Sequence, residues 1–98
     1  MRMLLKVSPR GDSANRAVVE GAFGRVLQQF MERFHPEAMY FTTEAGERSV
    51  LLFFDLKSES DMVSAAEPFW NELHAKVDWS PVMTGEDVQK GLAAFVGS

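Results

Sequence analysis

RSVLLFFDLK, at positions 48–57, is a strongly apolar stretch whose valine, leucine and phenylalanine residues favour a β-strand. Side chains alternate between the two faces of a strand, which divides this one into two apolar sets: Val50, Leu52, Phe54 and Leu56 on one face, Leu51 and Phe53 on the other. Both faces therefore need cover. Helices can cover one face, and we expect a second copy of the chain to cover the other.

Three further segments have the alternation or the β-branched composition of strands: residues 2–7 (RMLLKV), 37–44 (EAMYFTTE) and 76–83 (KVDWSPVM). The AGE turn after the second segment joins it to positions 48–57 as a hairpin. Pro81 places the last strand at a sheet edge or beside a bulge, because proline cannot donate to the ladder.

Two amphipathic helices are predicted between the strands. The first begins at Asp12 or Ser13 as N-cap and ends before Pro36. It has an apolar stripe at helical spacing: Val19, Phe23, Val26, Leu27, Phe30 and Phe34. Gly21 and Gly24 lie inside that pattern, where glycine is unfavourable, and we attribute them to close packing against a neighbouring element.

The second helix is predicted to begin at Ser58, which has the spacing of a capping box with Asp61, although Ser60 competes as the cap. Its apolar stripe is Met62, Ala66, Phe69, Trp70 and Leu73. Pro68 lies within this stripe, and its ring clashes with the preceding helical turn. We therefore expect a break next to Glu67, with Pro68 opening a second short segment.

A third helix follows the last predicted strand. Thr84 and Asp87 have capping-box spacing, and the helix is expected to reach about Phe95, with Gly97 after it. The element order is then βαββαβ with an added C-terminal helix. This order predicts one ferredoxin-like α+β domain over residues 1–98, with helices on one face of an antiparallel sheet.

The composition fits a small globular domain and excludes several functions. Apolar residues make up 46% and charged residues 24% of 98 residues, and so short a chain gains stability from association. The net charge is −4 with no basic stripe, so nucleic acid is not expected as a partner. No cysteine is present, which excludes disulfides and thiolate metal sites. Because no signal peptide or membrane span is recognised, we expect a cytoplasmic protein without a membrane partner.

Several short motifs resemble a family of small uncharacterised bacterial proteins: Pro36–Ala38, Tyr40–Phe41, Gly46 with Arg48, Phe54–Asp55, Ala66–Phe69, Ala75–Val77, and Pro81–Thr84 with Asp87. The resemblance covers nearly the whole chain and implies a fold without a particular activity. The plan is also similar to the dimeric α+β barrel superfamily, in which two such sheets face each other. Fold alone does not choose a function within such a group.

That superfamily includes monooxygenases of antibiotic biosynthesis, haem-degrading monooxygenases, muconolactone isomerases and small-ligand-sensing regulator domains. Its haem degraders use an asparagine in the first strand with a tryptophan and a histidine near the second helix. Trp70 and His74 are present here, but the first strand has no asparagine, and Asn15 lies on the first predicted helix. The resemblance therefore does not extend to haem chemistry, and no cofactor is expected.

The first candidate site is a cluster on the second predicted helix. Trp70 falls within its apolar stripe, Glu67 and His74 at the border and Asn71 farther out, as at the rim of a pocket. Histidine is the side chain that titrates most readily near neutral pH. The alternative is that Trp70 belongs to the core and that Glu67 and His74 are ordinary border residues.

Three other polar residues are also ligand-binding candidates: Asn15, Tyr40 and Arg48. Arg48, close to Gly46 in the turn, could bind a carboxylate, or it could be a solvated ion-pair partner. The two histidines lie on separate elements without metal-ligand spacing, so no metal site is expected.

Three functions remain open from the sequence. The first is a homodimeric protein that binds or senses a small apolar or aromatic ligand. The second is a cofactor-independent monooxygenase or isomerase of the dimeric α+β barrel type. The third is a structural subunit without a pocket. A site in which His74 and Asn15 converge would favour an enzyme, whereas an apolar, closed pocket would favour binding.

Overall fold

A computed structural model describes residues 1–97, apart from the side chains of Ser13 and Ala14. Within these residues the chain forms four strands and four helices: β1 Arg2–Ser8, α1 Gly11–Val19, α2 Ala22–Phe34, β2 Ala38–Glu44, β3 Glu47–Asp55, α3 Ser60–Leu73, β4 Lys76–Pro81 and α4 Gly85–Gly97. The last strand is shorter than predicted and ends at Pro81, where the backbone N–H needed for the ladder is missing.

The four strands form one antiparallel sheet in the order β2-β3-β1-β4. β1 and β3 are central, and Leu5 lies opposite both Leu52 and Trp79. β4 is an edge strand, as Pro81 predicts. With helices between β1 and β2 and between β3 and β4, this is the ferredoxin-like α+β arrangement, and the predicted fold class is confirmed.

Helices α1 to α3 cover one face of the sheet and form the core with it. Leu5, Leu52 and Phe54 are almost completely buried there, together with Phe69 of α3. The Phe54 ring meets Phe30 of α2 edge to face at 5.1 Å between centroids. We call the opposite side of the sheet the open face; it carries Leu4, Lys6, Tyr40, Leu51 and Phe53.

The first predicted helix is interrupted, and the expected roles of its glycines, of Val19 and of its N-cap residue are corrected as well. Gly21 has a φ of 86°, a left-handed conformation that separates α1 from α2. A Cβ at Gly24 would meet nothing within 4 Å, so close packing does not explain either glycine. Because α1 ends at the interruption, Val19 is exposed instead of belonging to the core stripe. The N-cap is Arg10, and Asp12 and Ser13 lie inside α1; the side chain of Ser13 is outside the described atoms.

Helix α3 runs through Pro68, so the predicted break is wrong. Ala65 and Ala66 before the proline and Phe69 after it are buried on the same core. Burial of one continuous apolar face offsets the loss of a single backbone hydrogen bond. Trp70 was expected in this stripe but is 43% exposed.

The start of α3 also differs from its predicted capping box. The Ser58 hydroxyl accepts a hydrogen bond from the Ser60 amide at 3.3 Å, and the Asp61 amide donates to the Ser58 carbonyl. The residue before the helix, Glu59, makes no side-chain cap bond. The turn at Ser58 therefore leads into the helix without the reciprocal pair of bonds that defines a capping box.

Helix α4 is capped as predicted and lies outside the core. The Thr84 amide donates to the Asp87 carboxylate at 3.0 Å, and the Asp87 amide donates to the Thr84 hydroxyl at 3.1 Å, which together form a capping box. Every residue of α4 is exposed. The helix extends the molecule to 54 Å along its longest axis, against 28 and 18 Å along the other two.

Candidate functional site

The helix layer stops short of the β2–β3 end of the sheet. Alternation along β2 turns Phe41 toward the helices, opposite Val50 of β3. Val50 is buried, whereas Phe41 remains 64% exposed. The interruption at Gly21 lies in the same region, since Val18 before it and Phe23 after it both face this end of the sheet. An apolar floor is thus left open to solvent.

A cavity of about 300 Å³ lies over this floor. Two aromatic rings, Phe23 from α2 and Phe41 from β2, contribute to it, with the branched side chains of Val18 and Val50. Ligand pockets are typically apolar clefts of about 300 to 1,000 Å³ with a few polar groups that fix orientation. The cavity has the size and lining for one aromatic ring.

A second, more polar cavity of about 490 Å³ adjoins the first, because Thr43 and Arg48 line both. It lies between the start of α1 and the β2–β3 turn, where Gly46 has a φ of 80° that the turn requires. We call the two cavities together the Arg48 cleft. Its polar mouth is lined by Asp12, Asn15, Glu47 and Arg48.

Arg48 gives the cleft its chemical character. Across the described part of the chain, Arg48, Asp12 and Glu47 form no ion pair. A guanidinium presents several N–H donors in a fixed plane and suits an oxygen anion or a carbonyl. The carboxylates of Asp12 and Glu47 can accept hydrogen bonds from the hydroxyl groups of a ligand. The mouth therefore offers both donors and acceptors beside an apolar floor.

The structure brings together two of the residues proposed from the sequence, Asn15 and Arg48. The four candidates on α3 lie elsewhere. The Asn71 amide donates to the Glu67 carboxylate at 2.6 Å on an exposed face, and Trp70 is partly exposed beside them. His74 is the C-cap of α3 and is exposed. His74 does not line the cavity that contains Asn15.

The remaining sequence candidate, Tyr40, lies on the open face. Its ring is 6.3 Å from that of Phe53, in edge-to-face geometry. Leu4 and Leu51 next to them are half-buried. Tyr40 thus belongs to an apolar patch on the side of the sheet opposite the Arg48 cleft.

Polar residues border this patch at one end of the sheet. The Lys6 ammonium pairs with the Glu44 carboxylate at 2.7 Å, and the Ser8 hydroxyl donates to the same carboxylate. The hydrogen bond from Lys6 is the main reason why the pKa of Glu44 lies below its ordinary value. The Ser8 and Ser49 hydroxyls are also hydrogen-bonded to each other at 3.1 Å, so these buried hydroxyls are satisfied.

The described residues contain neither a cluster of metal ligands nor a membrane-spanning helix. No group of three or more histidine, aspartate or glutamate side chains in that part of the chain is arranged to hold a metal ion. None of its helices combines the length and the apolar character needed to cross a bilayer.

A solved structure has a similar fold. It is 5-chloro-2-hydroxyhydroquinone dehydrochlorinase (TftG) from Burkholderia phenoliruptrix AC1100, in complex with 2,5-dihydroxybenzoquinone. The TM-score is 0.65 at 15% sequence identity, over 88% of this chain and 97% of that chain. At that identity the likeness shows the fold. No protein-family model and no curated protein matches the chain.

The apolar half of the cleft was missed from the sequence. Phe41 was interpreted only as a strand residue of the hairpin, and Phe23 only as part of the first helical stripe. The signal was the alternation of Met39 and Phe41 along β2, which points both at the helices. The alternation alone does not reveal the cleft, because the sequence predicts one unbroken helix over this region. The interruption at Gly21 is what leaves the region open.

Proposed function

We propose that this chain is a small-molecule-binding protein that takes hydroxylated aromatic compounds in the Arg48 cleft. One observation carries the proposal: an apolar cavity with two phenyl rings adjoins the Asn15 amide and the Arg48 guanidinium, which forms no ion pair within the described residues. A planar ring would pack between Phe23 and Phe41. Its ring oxygens would accept hydrogen bonds from Arg48 and Asn15.

The carboxylates in the mouth narrow the ligand class. A simple aromatic acid would gain from Arg48 but would meet repulsion from Asp12 and Glu47. A ring that bears hydroxyl groups donates to those carboxylates while a carbonyl or phenolate oxygen accepts from Arg48. The charge pattern therefore favours phenols and hydroxyquinones over plain carboxylic acids.

The dehydrochlorinase of similar fold gives independent support for this class. Its structure holds 2,5-dihydroxybenzoquinone, a planar ring with both carbonyl and hydroxyl oxygens. That observation concerns the other protein, and it supplies the first ligand to test here.

The proposal includes a homodimer formed through the open face. Leu4, Leu51 and Phe53 are half-buried there without a helix over them, as expected from the apolar character of both faces of β3. A second sheet packed about 10 Å away would remove these side chains from water. In a twofold dimer the open face of one copy packs against the open face of the other, so the same apolar patch is covered on both copies.

A second candidate function is cofactor-independent catalysis on the same class of ring, by a monooxygenase or isomerase. The observation in its favour is that the solved structure of similar fold is an enzyme acting on a chlorinated hydroxyhydroquinone. Product formation from 5-chloro-2-hydroxyhydroquinone or a related quinol, followed by chromatography, separates turnover from binding.

Calorimetric titration with 2,5-dihydroxybenzoquinone tests the binding proposal. Arg48→Gln should weaken the affinity by about tenfold or more, because a charge-assisted hydrogen bond contributes about 1.5 to 3 kcal/mol. Arg25→Gln is the matched control, since Arg25 is exposed on α2 and does not line the cleft, and it should bind like the wild type. Equal affinities for the wild type and Arg48→Gln would show that the cleft is not the binding site.

A further inference from the structure

Helix α4 has an apolar face that its own chain does not cover. The exposed side chains recur at i, i+4, i+7 and i+8: Val88, Leu92, Phe95 and Val96. Phe95 is 79% exposed. A helix of 13 residues is marginal in water by itself, because most helical stability in proteins comes from packing an amphipathic face. A stable α4 therefore requires another molecular surface packed against its apolar face.

The size and shape of the chain indicate how much cover is missing. A compact monomer of 11.0 kDa exposes about 5,600 Å² of surface, whereas this chain exposes 6471 Å². The excess, about 850 Å², matches the roughly 800 Å² that each partner buries in a standard interface. The radius of gyration is 15.7 Å, against about 13 Å for a compact domain of this length.

The position of α4 links it to the open face. The Val82 amide, just before α4, donates to the Arg2 carbonyl at 3.2 Å, and Arg2 and Asp87 line the same cavity, so Arg2 lies near the base of α4. Arg2 alternates with Leu4 and Lys6 on β1 and thus belongs to the edge of the open face. The base of the uncovered helix therefore lies beside one end of the open face.

We infer that α4 is an arm that docks its apolar face on a second copy of this chain, reciprocally in a twofold dimer. The inference rests on the homodimer proposed above. A twofold axis places each arm on the partner and buries both arms and both open faces at once. The missing cover on one chain is then supplied by the same surface of the other.

The charge of the arm disfavours a membrane as the occupant. The polar residues of α4 include Glu86 and Asp87 against a single cation, Lys90. Helices that lie on anionic bilayers carry an excess of lysine and arginine on the polar face. The acidic polar face fits a second copy better than a lipid surface.

Sedimentation of the full chain over micromolar concentrations tests the inference. The wild type should be a dimer, and Leu92→Glu and Phe95→Glu should each raise the dimer Kd by about 100-fold or more, because each substitution acts twice in a symmetric interface. Ala93→Glu adds the same charge outside the apolar face and should leave the Kd within about threefold of the wild type. Phe53→Glu on the open face should also dissociate the dimer.

The outcomes separate this inference from the proposed function. A dimer that Phe53→Glu dissociates but the two α4 variants do not would overturn the arm and leave the sheet dimer intact. A monomeric wild type would overturn both the arm and the dimer. If that monomer also sediments with phosphatidylglycerol vesicles and Phe95→Glu does not, the partner of α4 is a membrane. Titration of 2,5-dihydroxybenzoquinone into Phe95→Glu checks the Arg48 cleft independently, since Phe95 does not line it.

Discussion

Three non-glycine residues in the described part of the chain have a positive φ angle, two of them at helix ends and one in the β2–β3 turn. In the described residues these are His35, Ala45 and His74. His35 and His74 each end a helix, α2 and α3, at a φ of 48°. A side chain in this conformation costs about 1 kcal/mol or more relative to glycine, so each histidine makes the fold less stable than glycine would at the same position.

The cost at His74 allows its function to be tested apart from its fold. His74→Gly should raise the free energy of unfolding by about 0.5 to 1 kcal/mol, because glycine is the favoured residue after a helix. His74→Ala should change it by no more than about 1 kcal/mol. If the predicted site on α3 is real, both variants weaken ligand binding in calorimetric titration.

His35→Gly is the matched control for that experiment. It has the same backbone conformation and the same position after a helix, so its gain in stability should be similar. It should bind the quinone like the wild type, since His35 does not belong to the predicted α3 cluster or to the Arg48 cleft. Unchanged binding in both His74 variants would remove the α3 cluster as a ligand site.

At the scale of the element, the break between α1 and α2 shapes the Arg48 cleft. It places Val18 and Phe23 on either side of a left-handed glycine, so both line the same cavity from different helices. In one unbroken helix Val19 would share the face of Phe23, and Val18, five residues before Phe23, would point about 140° away from it. The cleft is thus a consequence of one backbone angle at Gly21.

Two glycine substitutions test the role of that angle. Gly21→Ala should lower the free energy of unfolding by about 1 to 2 kcal/mol, because a Cβ is strained at a φ of 86°. Gly24→Ala is the matched control within α2, where a Cβ has open space, and should raise stability by up to about 1 kcal/mol. Chemical denaturation measures both, and a stabilised Gly21→Ala would contradict the observed break.

Glu44 and Asp87 are two of the carboxylates whose pKa is lowered in the folded state; a third is Asp55, which accepts a hydrogen bond from the N-terminal ammonium. Glu44 of β2 accepts a hydrogen bond from Lys6 of β1 across the sheet, and Asp87 accepts one from Thr84 at the base of α4. A group whose pKa is lower in the folded state stabilises the fold above its unfolded pKa. That contribution disappears as the pH falls through the folded value.

Stability should therefore decrease as the pH falls below about 4, the ordinary range of Asp and Glu. Glu44→Gln should reduce this decrease, because the glutamine has no charge to lose. Glu72→Gln, an exposed position without an ion pair in the described residues, should keep the profile of the wild type. Denaturation midpoints between neutral pH and pH 3 provide the comparison, and identical profiles for Glu44→Gln and the wild type would contradict it.

The element types, their order and most of the core follow from the sequence because periodicity is a local property. The alternation of Leu5 and Val7 on β1, and of Val50, Leu52 and Phe54 on β3, identifies the strands and the face that the helices bury. The capping box of Thr84 and Asp87 needs only residues three apart, and it also was predicted correctly.

The site and the outer surfaces depended on distant segments and were decided by the tertiary structure. Asn15 and Arg48 share a cavity only because α1 packs beside the β2–β3 turn. Pro68 continues its helix because the faces on both sides of it are buried on the sheet. Trp70 and Phe95 lie in apolar stripes yet are exposed, since a stripe specifies which residues share a face but not whether another part of the chain reaches that face.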